Sequence, residues 1–145
     1  MGLELNNKWT VSAVLFHSKK LAANVASLFP EGYEAVFVEI GNLALYNQDF
    51  DDENNVPSEY TTFRNKMKEI DAVLFVTPEY NRTIPAVIKN ALDVGSRPYG
   101  ASVWNGKPAA IISQSPGKLG GFGANQCFRK GYYVSHSTSI NLVSH

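Results

Sequence analysis

The sequence predicts a doubly wound α/β fold, a parallel sheet with helices on both faces, and three observations support it. Four short apolar or β-branched runs alternate along the chain with three stretches whose apolar residues recur at helical spacing. Proline, glycine or asparagine separates most of these segments. Hydrophobic residues make up 44% and charged residues 18% of 145 residues, which suffices to fill one core. Strands alternating with helices call for right-handed crossovers, and these cover a parallel sheet on both sides. The length fits a single domain, residues 1–145.

Residues 9–16, WTVSAVLF, are β-rich and form the first predicted strand. Leu21, Ala22, Val25 and Leu28 follow at helical spacing, with Ser18 placed as the N-cap. Phe29-Pro30-Glu31-Gly32 ends that helix, and residues 33–40 form the second strand. Residues 41–56 are acidic and asparagine-rich and read as a loop. Ser58 is placed as the cap of a second helix carrying Phe63, Met67 and Ile70 on one face. The third strand covers residues 71–77. Ile84, Val87, Ile88, Ala91, Leu92 and Gly95 line the next helix, and Pro85 is tolerated near its start. Residues 107–115, KPAAIISQS, form the fourth strand. Beyond Gln126 no sustained helical period is visible, and Gly131 interrupts what helix could form. Residues 134–143 are β-compatible but poorly apolar for a central strand, so the sheet is predicted to be truncated or altered at its C-terminal end.

Lys+Arg and Asp+Glu number 13 each, a balance that gives no basic footprint for nucleic acid and no polybasic membrane anchor. The single cysteine, Cys127, has no internal partner for a disulfide. The N-terminus MGLELNNKW lacks the apolar core of a leader, and no stretch approaches the ~18 apolar residues of a membrane span. A cytoplasmic, soluble protein is the expectation.

Sheets of this kind bind ligands beyond the carboxyl ends of their strands. Three strand-end loops qualify: residues 16–18, 77–83 and 115–125. In the second, Pro78 stops the strand, Tyr80 offers a ring to a flat ligand, and Asn81 offers hydrogen-bonding groups. The third, SPGKLGGFGAN, carries Gly117, Gly120, Gly121 and Gly123, which allow close approach of backbone to a ligand. It matches neither the dinucleotide fingerprint nor a P-loop. On these residues alone, a solvated surface tyrosine and a flexible turn remain open readings.

The segments VTPEYNRTIPAVIKNALDVGSRP (76–98) and NGKPAAIISQSPGKLGGFGANQ (105–126), in that order, resemble the NADPH-dependent FMN reductase family, which has a flavodoxin-like fold. The resemblance covers residues 20–126. It implies a noncovalently bound FMN, with Pro78, Glu79, Tyr80 and Asn81 on one side of the flavin and Ser115, Gly117, Gly120 and Gly121 on the other. It also implies NADPH as hydride donor to the flavin and a small-molecule electron acceptor: a flavin, quinone, azo dye or metal oxyanion. A homodimer or homotetramer is implied as well. No acid or base is required of the protein, because the cofactor carries the redox chemistry.

Two departures stand beside the resemblance. Family members follow the first strand with a Gly-Ser-x-Arg-x-x-Ser-x-Asn phosphate loop, whereas this chain reads AVLFHSKKLAAN. His17, Ser18, Lys19 and Lys20 are left near a helix N-terminus as the candidates to substitute, Ser18 among the cofactor-binding residues; a packed or exposed histidine with the lysines on a solvated face is the other reading. After Gln126 the family's long helix is expected to be missing. Reading-frame shifts or an unusual variant would produce both departures. They leave open two further readings: an electron carrier that does not bind nicotinamide, and a flavin-free remnant serving as a structural or partner-binding domain.

Overall fold

A computed structural model of the chain describes residues 8–13, 16–135 and 140–142. The elements run β1 (Lys8–Ala13), α1 (Phe16–Ala26), β2 (Glu34–Phe37), α2 (Asp49–Asp52), α3 (Ser58–Lys68), β3 (Ala72–Pro78), α4 (Ala86–Gly95), β4 (Ala109–Gln114), α5 (Phe122–Ser135) and β5 (Ile140–Leu142). All five strands pair in parallel, in the order β2-β1-β3-β4-β5. This is the flavodoxin-like order of a doubly wound sheet.

Strand β3 lies at the centre, and its residues from Ala72 to Thr77 are buried on both faces. Val73 and Phe75 join the larger core, formed with Tyr60, Phe63 and Met67 of α3, Ile88, Ala91 and Val94 of α4, and Ala124, Phe128 and Tyr132 of α5. Leu74 and Val76 face the other way, against Leu21, Ala22 and Val25 of α1. The two faces are covered unequally. Along β4, Ala109, Ile111 and Ser113 are buried under the three-helix layer, whereas Ala110, Ile112 and Gln114 on the α1 side are half-buried.

The C-terminal part of the chain differs from the sequence expectation. Helix α5 continues to Ser135, and β5 pairs with β4, so a helix and a fifth strand lie where the sequence expectation had none. The helix holds because Ala124, Phe128 and Tyr132 repeat at intervals of four and pack on Phe75. Gly131 lies on the exposed side, with open space where a side chain would be, so it costs only about 1 kcal/mol of helix propensity. Ser58 does not cap α3; Pro57 occupies the N-cap position, and no side chain caps that end. Residues 14, 15, 136–139 and 143, on which parts of the first-strand and tail expectations fall, lie outside the described residues, as does the N-terminal segment 1–7.

The stretch read as a loop, 41–56, contains α2 and is held at two points. Asn90 of α4 accepts the Tyr46 N–H at 2.8 Å and donates to the Leu43 and Ala44 carbonyls. Arg64 of α3 makes a two-pronged pair with Asp51 at 2.7 and 2.8 Å, while its Nε donates to the Val94 carbonyl. Both members of the pair are less than a tenth exposed. Asp51→Ala should therefore lower stability by about 3–5 kcal/mol, read as a fall in the urea midpoint, because it strands a buried guanidinium.

Candidate functional site

The cleft is built by the pairing of β3 with β4. Their register places Pro78 opposite Gln114, so both strands end at the same level, and the Glu79 N–H donates to the Gln114 carbonyl at 3.0 Å. The chains then diverge. Pro78, Glu79 and Tyr80 form one wall and Gln114, Ser115 and Pro116 the other wall of a cleft of about 450 Å³, mostly apolar. The cleft lies beyond the carboxyl ends of the strands, as ligand sites of such sheets do, one strand over from the β1/β3 switch point.

A two-residue turn shapes the first wall. Tyr80 and Thr83 exchange both backbone hydrogen bonds at 2.9 Å, and between them Asn81 and Arg82 have φ of 48° and 66°. Two positive angles define a type I′ turn, which Asn tolerates well at its first central position. The turn leaves Tyr80 48% exposed at the rim, where it also borders a second cleft that includes Asn81 and Cys127. In the second wall, the Ser115 hydroxyl accepts the Gly117 N–H at 3.2 Å and folds the loop back on itself.

Of the sequence-nominated residues, Pro78, Glu79, Tyr80 and Ser115 meet at the cleft, and Asn81 stands beside it. The glycines play a different part from the one expected. Gly121 has φ of 80°, and a Cβ there would lie 2.8 Å from the Gln114 nitrogen and the Ser113 carbonyl carbon. A Cβ on Gly123 would lie 2.6 Å from the Arg82 carbonyl oxygen. Both glycines thus admit neighbouring backbone. Gly117 is exposed, and Gly120, with φ of 56°, is half-buried between them; neither borders the cleft.

Ser18 is not an N-cap. Helix α1 begins at Phe16, and Ser18 is fully buried, its hydroxyl accepting from the Gln114 side-chain amide at 2.9 Å. It supports the floor of the cleft through Gln114, a residue the sequence reading passed over along with Pro116. Their signal was position: each lies at or just beyond the carboxyl end of β4. Lys19 pairs with Glu39 at 3.6 Å near the surface, and the Gly41 N–H keeps the Glu39 carboxyl below its ordinary range. The His17 side chain lies outside what the structure describes.

Two buried polar atoms, Ser113 Oγ and Asn125 Nδ2, have no hydrogen-bond partner. Among the described residues there is no cluster of potential metal ligands, and no helix long and apolar enough to cross a membrane.

The chain belongs to the NADPH-dependent FMN reductase family, whose profile matches residues 17–143. The match extends well past Gln126, so family sequence continues through α5 and into β5, and the tail is not foreign to it. A quinone reductase from Pseudomonas putida is 51% identical over 114 residues, covering 79% of this chain and 61% of that protein. A 2-hydroxy-1,4-benzoquinone reductase from a Burkholderia species is 50% identical over 103 residues, 71% of this chain and 55% of that one. The chain therefore spans only 55–61% of the length of these relatives. Among solved structures, the flavoenzyme NAD(P)H:(acceptor) oxidoreductase FerB from Paracoccus denitrificans has a TM-score of 0.82 and 32% identity, covering 94% of this chain and 74% of that one.

Gly121→Ala forces a side chain into backbone at a left-handed angle. It should lower stability by at least about 1–2 kcal/mol, measured by thermal or urea unfolding with or without added ligand.

Proposed function

We propose that the chain is an FMN-dependent NAD(P)H oxidoreductase whose acceptors are quinones, with flavins and azo compounds in the wider class. The observation that carries this reading is the shared ending of β3 and β4, which opposes Pro78–Tyr80 to Gln114–Pro116 across one apolar cleft. The residues present suit a flat aromatic ring. Pro78 and Pro116 contribute apolar surface, Tyr80 contributes an aromatic face, and Gln114 and Ser115 contribute polar groups for a ring edge. The names of the relatives support quinones as the acceptor class.

When bound, FMN supplies two-electron chemistry between a reduced nicotinamide and an acceptor. The protein's part is to hold and orient. Gln114 is held by Ser18, so the polar end of its side chain is fixed in place before any ligand arrives. The turn at Asn81 and Arg82 sets the height of the Tyr80 ring at the rim. No side chain of the cleft needs to transfer a proton for hydride to move. The first turn of α1 would hold the phosphate, since backbone N–H groups at a helix N-terminus favour an anion. A single domain acting in the cytoplasm, as a dimer or tetramer, completes the reading.

Titrating purified chain into FMN should quench flavin fluorescence with one site per chain. Anaerobic NADPH should then bleach the bound flavin, and a benzoquinone should restore its colour. Tyr80→Ala should raise the FMN dissociation constant roughly tenfold by removing one face of the ring contact. Failure of the unsubstituted chain to bind FMN sinks the assignment.

A further inference from the structure

Glu79 stands at the cleft, yet its carboxylate is committed elsewhere. The side chain is 6% exposed; Oε2 accepts the Ala124 N–H at 3.0 Å, and Oε1 accepts from the Arg82 guanidinium at 3.3 Å. Ala124 lies in the first turn of α5, where N–H groups have no partner inside the helix and a carboxylate is favoured. One turn further along, the Thr83 hydroxyl donates to Cys127 Sγ at 3.0 Å. The whole 79–83 turn is thus fastened to one helix end. That helix end is also seated on the opposite wall: Gly121 packs on the Gln114 nitrogen and Ser113 carbonyl carbon so closely that a Cβ would not fit.

We propose that Glu79 is a positioning residue that fixes the spacing of the two cleft walls by tying the Tyr80 turn to the first turn of α5, without its carboxylate contacting the ligand. The two walls diverge beyond the last ladder bond, Glu79 N–H to the Gln114 carbonyl, and past that point the start of α5 touches both. The carboxylate closes this bridge from the Tyr80 side; Gly121 closes it from the Gln114 side. In its consequence for ligand binding, the inference rests on the cleft being the flavin site.

The test uses the full chain with Glu79→Ala, Glu79→Gln and, as a control, Tyr60→Phe, which removes a buried hydrogen bond to the Ala44 carbonyl far from the cleft. Hydrogen exchange is read first, without flavin. Glu79→Ala should speed exchange about fivefold to tenfold in both 79–83 and 114–121, although Glu79 has no side-chain bond to the second segment. Glu79→Gln, whose amide oxygen can accept the Ala124 N–H, should return both segments close to the original rates. With FMN, Glu79→Ala should weaken binding about tenfold and Glu79→Gln less than threefold, while Tyr60→Phe lowers the melting temperature and leaves affinity unchanged. Faster exchange confined to 79–83, no recovery in Glu79→Gln, or full FMN affinity in Glu79→Ala would overturn the proposal. If the unsubstituted chain does not bind FMN, the flavin reading fails and the exchange data alone decide the coupling. Should Glu79→Ala not fold, Gly123→Ala loosens the same junction by pushing a Cβ against the Arg82 carbonyl, and the same paired change in exchange is expected.

Discussion

Strands β3 and β4 lie in parallel over six residue pairs, from Val73 beside Ala109 to Pro78 beside Gln114. A slip of β4 by one residue would turn Ile111 out of the three-helix core and bring Ile112 into it, and a slip of β3 would do the same with Phe75 and Leu74. The burial pattern forbids that, because Phe75 packs within 4.5 Å of the Phe128 ring and 5.9 Å of the Trp104 ring. The aromatic cluster under the sheet therefore decides where the two strands stop. Their common end decides where the cleft opens. Core packing and site geometry are one constraint seen at two ends of the same strands.

The helix that follows β3 serves the same arrangement. Asn90 is buried, and all three of its side-chain bonds reach the 43–46 segment, while Lys89 and Asp93 pair one turn apart on the outside. Gly95 lets the Trp104 ring lie against the helix, where the indole N–H donates to the Leu92 carbonyl. Lys89, Asn90 and Asp93 thus serve the architecture of this helix and its neighbours. On the far side of the core, Tyr132 donates to the Lys107 carbonyl, and burial keeps its phenol above the ordinary range, so it stays a donor throughout the working pH range.

Much of this was legible in the sequence where burial is one-sided or complete. The continuous apolar run of β3 and the regular stripes of α3 and α4 show in the pattern because one environment acts along each element. The strand β2 is shorter than its apolar run, ending at Phe37, which is 56% exposed. The helix α5 escaped notice because, among its described side chains, the buried apolar ones are Ala124, Phe128 and Tyr132, and a glycine and two basic residues lie on its outer side; it packs on Phe75, which is remote in sequence. At the cleft, Tyr80 and Ser115 were readable from their place after a strand. The place of Gln114 could be read in the same way, but not its fixing by Ser18, a contact spanning 96 residues.

The close approaches at Gly121 and Gly123 carry a consequence for comparing sequences. Hydrogen alone fits at both positions because one stretch of main chain presses on another, whether or not anything occupies the groove. A descendant that had given up its coenzyme would be held to the same two residues for as long as it folded this way. Their retention along a lineage is a record of architecture rather than of chemistry.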